Sequence, residues 1–497
     1  MARFTVIRGG LLLDAPAHAA SARDILIDGD TILEIGQPGI AVPGDATAIN
    51  AAGRLLIPGL INAHTHGNGN LAKGMGDRWT LETLLNAGVF LNGHRTDEDK
   101  YLSCLLGGLE MIRSGTTACY DLLGESPLPT VEGFHAAARG YDEAGVRVLL
   151  APMVGDHNVY TAIPGLIDSL SPSLRAYAER YESAPTDQML AAVTALLRGW
   201  RSPSARITLA MAPTVPLYCS DRFITGCRDL ARDAGMRLQM HVGESKAEAV
   251  GGIRRYGKTL TAHLDEIGFL GPDVTAAHGV WLDDEDIARM AHHGVAVAHN
   301  PGSNLRLGCG IAPAGKLRAR GVPVGVGTDG SHCADGQNMF LAMRTTSLAS
   351  RITSADYREW LATEDVVSMA TEGSARTMGM ENSIGRLVPG YKADIVFLDL
   401  GHVNFVPFND PTNQVVTTEN GAAVDSVMIG GRLVLDRGRF PHVDFERLRH
   451  RIAERVASLR ALNADDRRIA ALLEPAVGSY CVGLAREPYH IERRLPQ

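Results

Sequence analysis

Leu55-Leu-Ile-Pro-Gly-Leu-Ile-Asn-Ala-His64-Thr-His66 decides the fold. It is a short apolar run, punctuated by a Pro-Gly pair, that ends in polar residues rather than in a turn. Seven further runs of this kind follow at Thr116–Asp121, Arg147–Val154, Ile207–Ala212, Leu238–Val242, Val274–Ala277, Val295–His299 and Val322–Gly327. Counting Leu55–Ile61, that gives eight candidate strands, each apolar enough to be buried on both faces. The segments between them, such as Asp283–His293 and Ser220–Ala234, carry apolar residues at helical spacing behind Ser or Asp starts. Eight alternations of buried strand and helix predict an α/β fold, a (β/α)8 TIM barrel.

Outside the barrel the texture changes. Phe4–Ile7, Asp24–Asp28 and Thr31–Ile35 are β-rich runs separated by glycines, and the same pattern returns in Ala393–Asp399 and Ser426–Leu435. Neither end is long enough to close a core alone. A small β-sandwich formed from both ends of the chain is therefore expected. The boundaries read as 1–57 for its first part, 58–383 for the barrel, 384–444 for its second part and 445–497 for a C-terminal helical extension. In the extension, Phe445–Arg460 and Ala464–Leu473 read as charged helices, followed by an irregular tail.

The chain has 497 residues, 45% hydrophobic and 21% charged, which excludes a disordered or collagen-like protein. Lys plus Arg number 48 against 56 Asp plus Glu, a net charge of −8 without a basic run. No nucleic-acid partner is expected, since the phosphate backbone needs a cationic surface. Seven single cysteines without a Cys-x-x-Cys pair read as free thiols of a reducing compartment. No apolar stretch approaches the ~20 residues that span a bilayer, and Arg8 interrupts the N-terminal apolar run where a signal peptide needs continuity. No membrane association and a cytoplasmic location are the expectations.

The chemistry sits where the strands end. Strand one runs into His64-Thr-His66, strand five ends in His241 with Glu244 just beyond, strand six ends in His278 and strand eight in Asp329. Residues two apart on a strand share a face, so His64 and His66 point the same way. The carboxyl ends of barrel strands meet at one face, where such folds build their sites. Alone, a His-x-His pair or a Gly-flanked aspartate means little. Together, four histidines and an aspartate buried side by side would be very costly without a cation, and imidazole with carboxylate suits Zn²⁺ or Fe²⁺.

These motifs resemble the amidohydrolase superfamily, in its branch of cytosine, guanine and adenosine-type deaminases and s-triazine hydrolases. The resemblance is carried by Ile57–His66, His241-Val-Gly-Glu244, Ala277-His-Gly, Ala298-His-Asn-Pro-Gly-Ser-Asn304, Gly327-Thr-Asp-Gly330 and Gly385–Asp394, and it covers the chain to about residue 440. It implies a metal-dependent hydrolase with one divalent metal, Zn²⁺ first and Fe²⁺ second, held by His64, His66, His241 and Asp329. Binuclear members carry a bridging lysine on strand four. Here that strand reads Arg206-Ile-Thr-Leu-Ala-Met-Ala-Pro-Thr-Val-Pro216, without lysine, so the resemblance implies a mononuclear site.

Glu244, His278 and Asp329 are then the catalytic set. The resemblance implies attack of metal-bound hydroxide on a ring carbon bearing an amino group, with Glu244 shuttling the proton and His278 holding the oxygen. The substrate implied is a small N-heterocycle (a purine, pyrimidine, pterin or s-triazine) losing ammonia or an alkylamine. Trp79, Thr214, Asn304 and His332 are the candidates for substrate contact. Thr214 stands where adenosine-type members carry a substrate-touching histidine, which argues against a nucleoside thioether. Two other readings stay open: an amide, urea, carbamate or aryl-chloride hydrolase using the same metal, and a non-catalytic barrel. A homo-oligomer is expected from the family.

Overall fold

The computed structural model describes residues 4–334 and 336–494. Its strands, in chain order, are β1 (Phe4–Asp14), β2 (Ala19–Asp28), β3 (Thr31–Gly36), β4 (Thr47–Asn50), β5 (Arg54–Pro58), β6 (Leu60–Thr65), β7 (Thr116–Gly124), β8 (Arg147–Val154), β9 (Ile207–Leu209), β10 (Ala212–Pro213), β11 (Leu238–Val242), β12 (Val274–His278), β13 (Ala296–His299), β14 (Val324–Val326), β15 (Ile395–Asp399), β16 (Val424–Ile429) and β17 (Arg432–Leu435). From β6 to β14 they run parallel in chain order. They form a five-stranded sheet, β6 to β10, and a four-stranded sheet, β11 to β14. A parallel bridge between Met211 and Leu238 joins the two on one side. On the other, the Asp329 N–H donates to the His64 carbonyl at 2.9 Å and brings β14 back to β6. Side chains alternate as the pleat requires: Ala118, Tyr120 and Leu122 of β7 enter one core cluster, Cys119 and Leu123 another.

Two expected strands divide. Leu55–Ile61 straddles β5, which pairs antiparallel with β15, and β6, which opens the barrel. Pro58 has no N–H to continue a ladder, and a Cβ on Gly59 would collide with the Thr117 side chain, so the chain changes sheets there. Strand four, expected over Ile207–Ala212, breaks into β9 and β10. The Ala210 N–H donates to Leu150 on β8 and the next, that of Met211, to Arg237 ahead of β11; β9 and β10 both pair with β8, so the strand is interrupted at Ala210–Met211 while keeping its neighbours.

Strands from both chain ends meet in one eight-stranded sheet, ordered β17-β16-β15-β5-β1-β2-β3 with β4 beside β1. Its core holds Ile7, Ile25, Ile27, Leu56, Ile395, Phe397 and Met428. The β-rich run Ser426–Leu435 falls in the hairpin of β16 and β17.

The C-terminal helices span Phe445–Leu462 and Ala464–Ala485. The second runs twelve residues beyond the expected end at Leu473, through Pro475. A buried stripe of Ile469, Leu473, Val477, Cys481 and Leu484 explains it, because packing of one helical face outweighs the lost Pro475 hydrogen bond. That stripe packs against Val159, Ile163, Leu166 and Val250, in segments that follow β8 and β11. Among the described residues, no helix is long and apolar enough to cross a membrane.

Candidate active site

β6, β11, β12 and the turn after β14 bring His64, His66, His241, His278 and Asp329 together, with Glu244 just past β11. All six are at most 7% exposed. Each imidazole is fixed through Nδ1, which turns its Nε2 inward. Nδ1 of His64 meets Gln239 Oε1 at 2.5 Å, that of His66 the Leu122 carbonyl at 2.8 Å, that of His241 the Thr214 carbonyl at 2.7 Å, and that of His278 Asn304 Oδ1 at 2.9 Å. Around the Asp329 carboxylate, Nε2 of His66 lies at 3.3 Å, of His64 at 3.6 Å and of His278 at 3.9 Å. The Nε2 atoms of His66 and His241 are 3.3 Å apart, and Glu244 Oε2 lies 3.5 Å from Nε2 of His278.

This donor set fits a cation. His64, His66 and Asp329 form one group whose ligand atoms lie within 4.8 Å of one another, as do His64, His241 and His278. The Nε2 atoms of His64 and His278 are buried without a hydrogen-bond partner, an arrangement that costs about 1–3 kcal/mol for each such group unless something fills it. His278 (φ 74°) and Asp329 (φ 63°) also hold left-handed backbone, a strain that concentrates at functional sites.

The protonation states are set by burial and by neighbours. Burial, with His64 beside it, holds the His66 imidazole down to about 4, and burial holds His278 at about 3 and His241 well below its usual range. All three are thus neutral at physiological pH, the form in which imidazole binds a metal. Burial pushes the Asp329 carboxyl up, but the surrounding imidazoles of His64, His66 and His278 outweigh it and keep the carboxyl well below the ordinary carboxylate range. Glu244 goes the other way, raised well above its usual range by burial and by the charges of Asp329, Glu248 and Glu82. Two carboxyls in one site are pushed apart, the pattern that separates a charge-bearing group from a proton carrier.

A cavity opens beside this cluster, lined by His66, His241, Glu244, His278 and Asp329 and walled by Leu81, Leu84, Leu85, Leu217 and Leu307. Of the candidate substrate contacts, Thr214 and His332 line it. His332 is accommodated by Gly69 and Gly330, where a Cβ would collide with its ring. Asn304 and Trp79 stand elsewhere. Asn304 grips His278 from behind, and Trp79 packs against the apolar cluster of Ala72, Leu84, Ala87, Leu91 and Leu307. Three groups were not anticipated. Gln239 orients His64, and Glu82 accepts a hydrogen bond from Ser245 Oγ at 2.6 Å. Glu248 accepts from the Gly243 and Glu244 N–H groups at 3.1 and 2.7 Å. Gln239 was visible as the residue two before His241 on the same strand face. Glu82 and Glu248 lie in the first turns of helices and carry no local signal.

The sequence model of the amidohydrolase family matches residues 55–434. The chain belongs to that family. Among amidohydrolase relatives, the 5'-deoxyadenosine deaminase of Methanothermobacter thermautotrophicus is 34% identical over 437 residues, which cover 87% of this chain and 93% of the relative. The 5-methylthioadenosine/S-adenosylhomocysteine deaminase of Thermococcus onnurineus is also 34% identical over 437 residues, 88% of this chain and 95% of the relative. Among solved structures, an adenosine deaminase from Xanthomonas campestris with bound zinc superposes with a TM-score of 0.80 at 24% identity, over 92% of this chain and 98% of that one, a likeness of fold. The atrazine chlorohydrolase of Arthrobacter aurescens, complexed with zinc, superposes with a TM-score of 0.80 at 26% identity, over 91% of this chain and all of that one.

Proposed function

We propose that this amidohydrolase is a metal-dependent deaminase of an amino-substituted N-heterocycle. The observation that carries the reading is the convergence of four buried imidazoles and a low-lying Asp329 carboxylate next to a buried, high-lying Glu244. His64, His66, His241 and Asp329 would hold one divalent cation, Zn²⁺ first and Fe²⁺ second. When bound, such a cation lowers the pKa of water to about 7 and so supplies a nucleophile at neutral pH.

The residues of the chain do the rest. Water adds to the ring carbon bearing the amino group, and the bond from that carbon to nitrogen breaks as ammonia leaves. Glu244 carries one proton of the water to the ring nitrogen and then the second, released as the hydroxyl of the adduct becomes the carbonyl, to the departing amine. His278, held by Asn304 through Nδ1, presents its neutral Nε2 as an acceptor toward the hydroxyl whose oxygen becomes the product carbonyl. The leucine wall keeps bulk water from the reacting carbon and stacks against a flat ring. The relatives named for 5'-deoxyadenosine and methylthioadenosine support an adenine ring as the group presented to Glu244. Thr214, in place of a substrate-touching histidine, is the feature we expect to set this chain apart toward substrates other than nucleoside thioethers.

The test is a screen of adenine nucleosides, free purines, pyrimidines, pterins and s-triazines for release of ammonia or alkylamine. Turnover of an amino-substituted ring with stoichiometric ammonia supports the reading. Chloride release from a chlorotriazine, with no ammonia from any ring, would replace it with the chlorohydrolase reading that the Arthrobacter neighbour favours.

For the architecture, we read a barrel over 58–383 between β-sandwich halves at 1–57 and 384–444, followed by the extension 445–497. The double pairing of β1 supports this. Its first half lies beside β4 and its second beside β5, with a register break between Ile7 and Gly10, so one sheet can bend into two layers.

A further inference from the structure

The segment after the last helix lies beyond the residues that the family model matches, yet it returns to the active-site end. Tyr489 packs against Trp281 with ring centroids 6.0 Å apart, and His490 Nε2 meets Asp283 Oδ2 at 2.8 Å. The Ile311 N–H donates to the Arg493 carbonyl at 2.9 Å. The Arg493 guanidinium then closes on one turn: Nε donates to the Val280 carbonyl at 3.1 Å and Nη2 to the Leu282 carbonyl at 2.5 Å.

That turn has two sides. Its carbonyls face Arg493. Its Val280 and Trp281 N–H groups both donate to the Gly243 carbonyl, at 3.0 and 2.8 Å. Gly243 directly precedes Glu244, and the turn begins two residues after His278, whose Nε2 lies 3.5 Å from the Glu244 carboxylate. One turn therefore holds the backbone that leads into Glu244, and its outer face is held by a guanidinium that spans two carbonyls. A lysine ammonium has no planar fork with which to bridge them.

We propose that Arg493 is a positioning residue for Glu244, acting through the Val280–Leu282 turn and Gly243. This rests on the reading of Glu244 as the proton carrier. Misplacing a reacting group by about 1 Å can cost on the order of 100-fold in rate, so loss of one such restraint should lower turnover by about tenfold or more.

The experiment compares Arg493→Ala and Arg493→Lys, each in the full chain with Glu244 and with Glu244→Gln, using the fastest substrate from the ammonia-release screen. Expected are a fall in kcat of about tenfold or more for Arg493→Ala and a smaller fall for Arg493→Lys. KM should stay within about twofold, with metal content and thermal midpoint unchanged. Amide exchange in peptides covering 278–283 should accelerate. On the Glu244→Gln background the same substitution should change the residual rate by less than about twofold, because the group being positioned is gone. Unchanged kcat in both Arg493 variants overturns the proposal, as does an undiminished effect on the Glu244→Gln background. Full turnover by Glu244→Gln alone overturns the reading of Glu244 instead. If Arg493→Ala does not fold, Arg493→Lys decides.

Discussion

Replacing Glu244 by glutamine isolates proton transfer from every other property of the site. Glutamine keeps the volume and one carbonyl oxygen but cannot accept and return a proton. The carboxyl is buried and pushed well above its usual range by burial, Asp329, Glu248 and Glu82, so its neutral form is the one the metal-free fold favours. A neutral amide should therefore be tolerated, with the thermal midpoint within a few degrees of wild type. His64, His66, His241 and Asp329 are untouched, and metal content should be retained. Turnover should fall roughly 100- to 10,000-fold, the usual contribution of a general acid–base, equivalent to about 2.7–5.5 kcal/mol of transition-state stabilisation. The assay measures metal per chain by elemental analysis and kcat by ammonia release on the same preparation. A loss of metal in parallel with rate would show Glu244 to be a ligand. A kcat within twofold of wild type would refute the reasoning outright.

Further outcomes are expected. Protein purified without added metal should hold about one divalent ion per chain by elemental analysis, and His64→Ala should lose both ion and activity, since a removed ligand opens the shell. Gln239→Leu should weaken metal affinity roughly 10- to 100-fold, as measured by competition with a chelator, because it frees the His64 ring that Gln239 orients. Gly69→Ala should displace the His332 ring from the cavity wall and raise KM while leaving metal content unchanged, read from steady-state kinetics. Burial alone holds the His299 imidazole down to about 4, whereas the unfolded chain takes up its proton near 6.5. The stability contributed by neutral His299 is thus present above pH ~6.5 and lost as pH falls toward ~4, by at most about 3 kcal/mol. Urea midpoints should lose that part of their pH dependence in His299→Asn.

The barrel was legible because its strands are buried on both faces and end in residues that burial otherwise excludes. His64, His241, His278 and Asp329 were informative through their positions at strand ends more than through their identities. The break at Pro58-Gly59 was less legible, since both sides are apolar and the change of sheet depends on β15, far along the chain. The break in strand four was hidden for a related reason, because the ladder with β8 lapses at Ala210–Met211 with no change of composition. Glu82 and Glu248 act through tertiary contacts, and glutamates in first helical turns look alike whether they face solvent or a cavity. Trp79 illustrates the converse: an aromatic near a site in sequence packs aside from it in space. The docking of Ala464–Ala485 was hidden by Pro475, which locally signals an ending.

The change of sheets at Gly59 has a consequence for synthesis. β5 leaves the ribosome early, yet its antiparallel partner β15 emerges some 340 residues later, and β6, which opens the barrel, must also wait for β14 to close it. Through most of translation β6, the first strand of the barrel, and β5, the edge of the part of the terminal sheet already made, are both exposed edges one residue apart, an open invitation to pairing with another nascent chain. Chains stalled between residues 66 and 393 should therefore be the aggregation-prone species, and release of β14 with the Asp329 turn should mark the point at which the histidines of β6 become fixed in place.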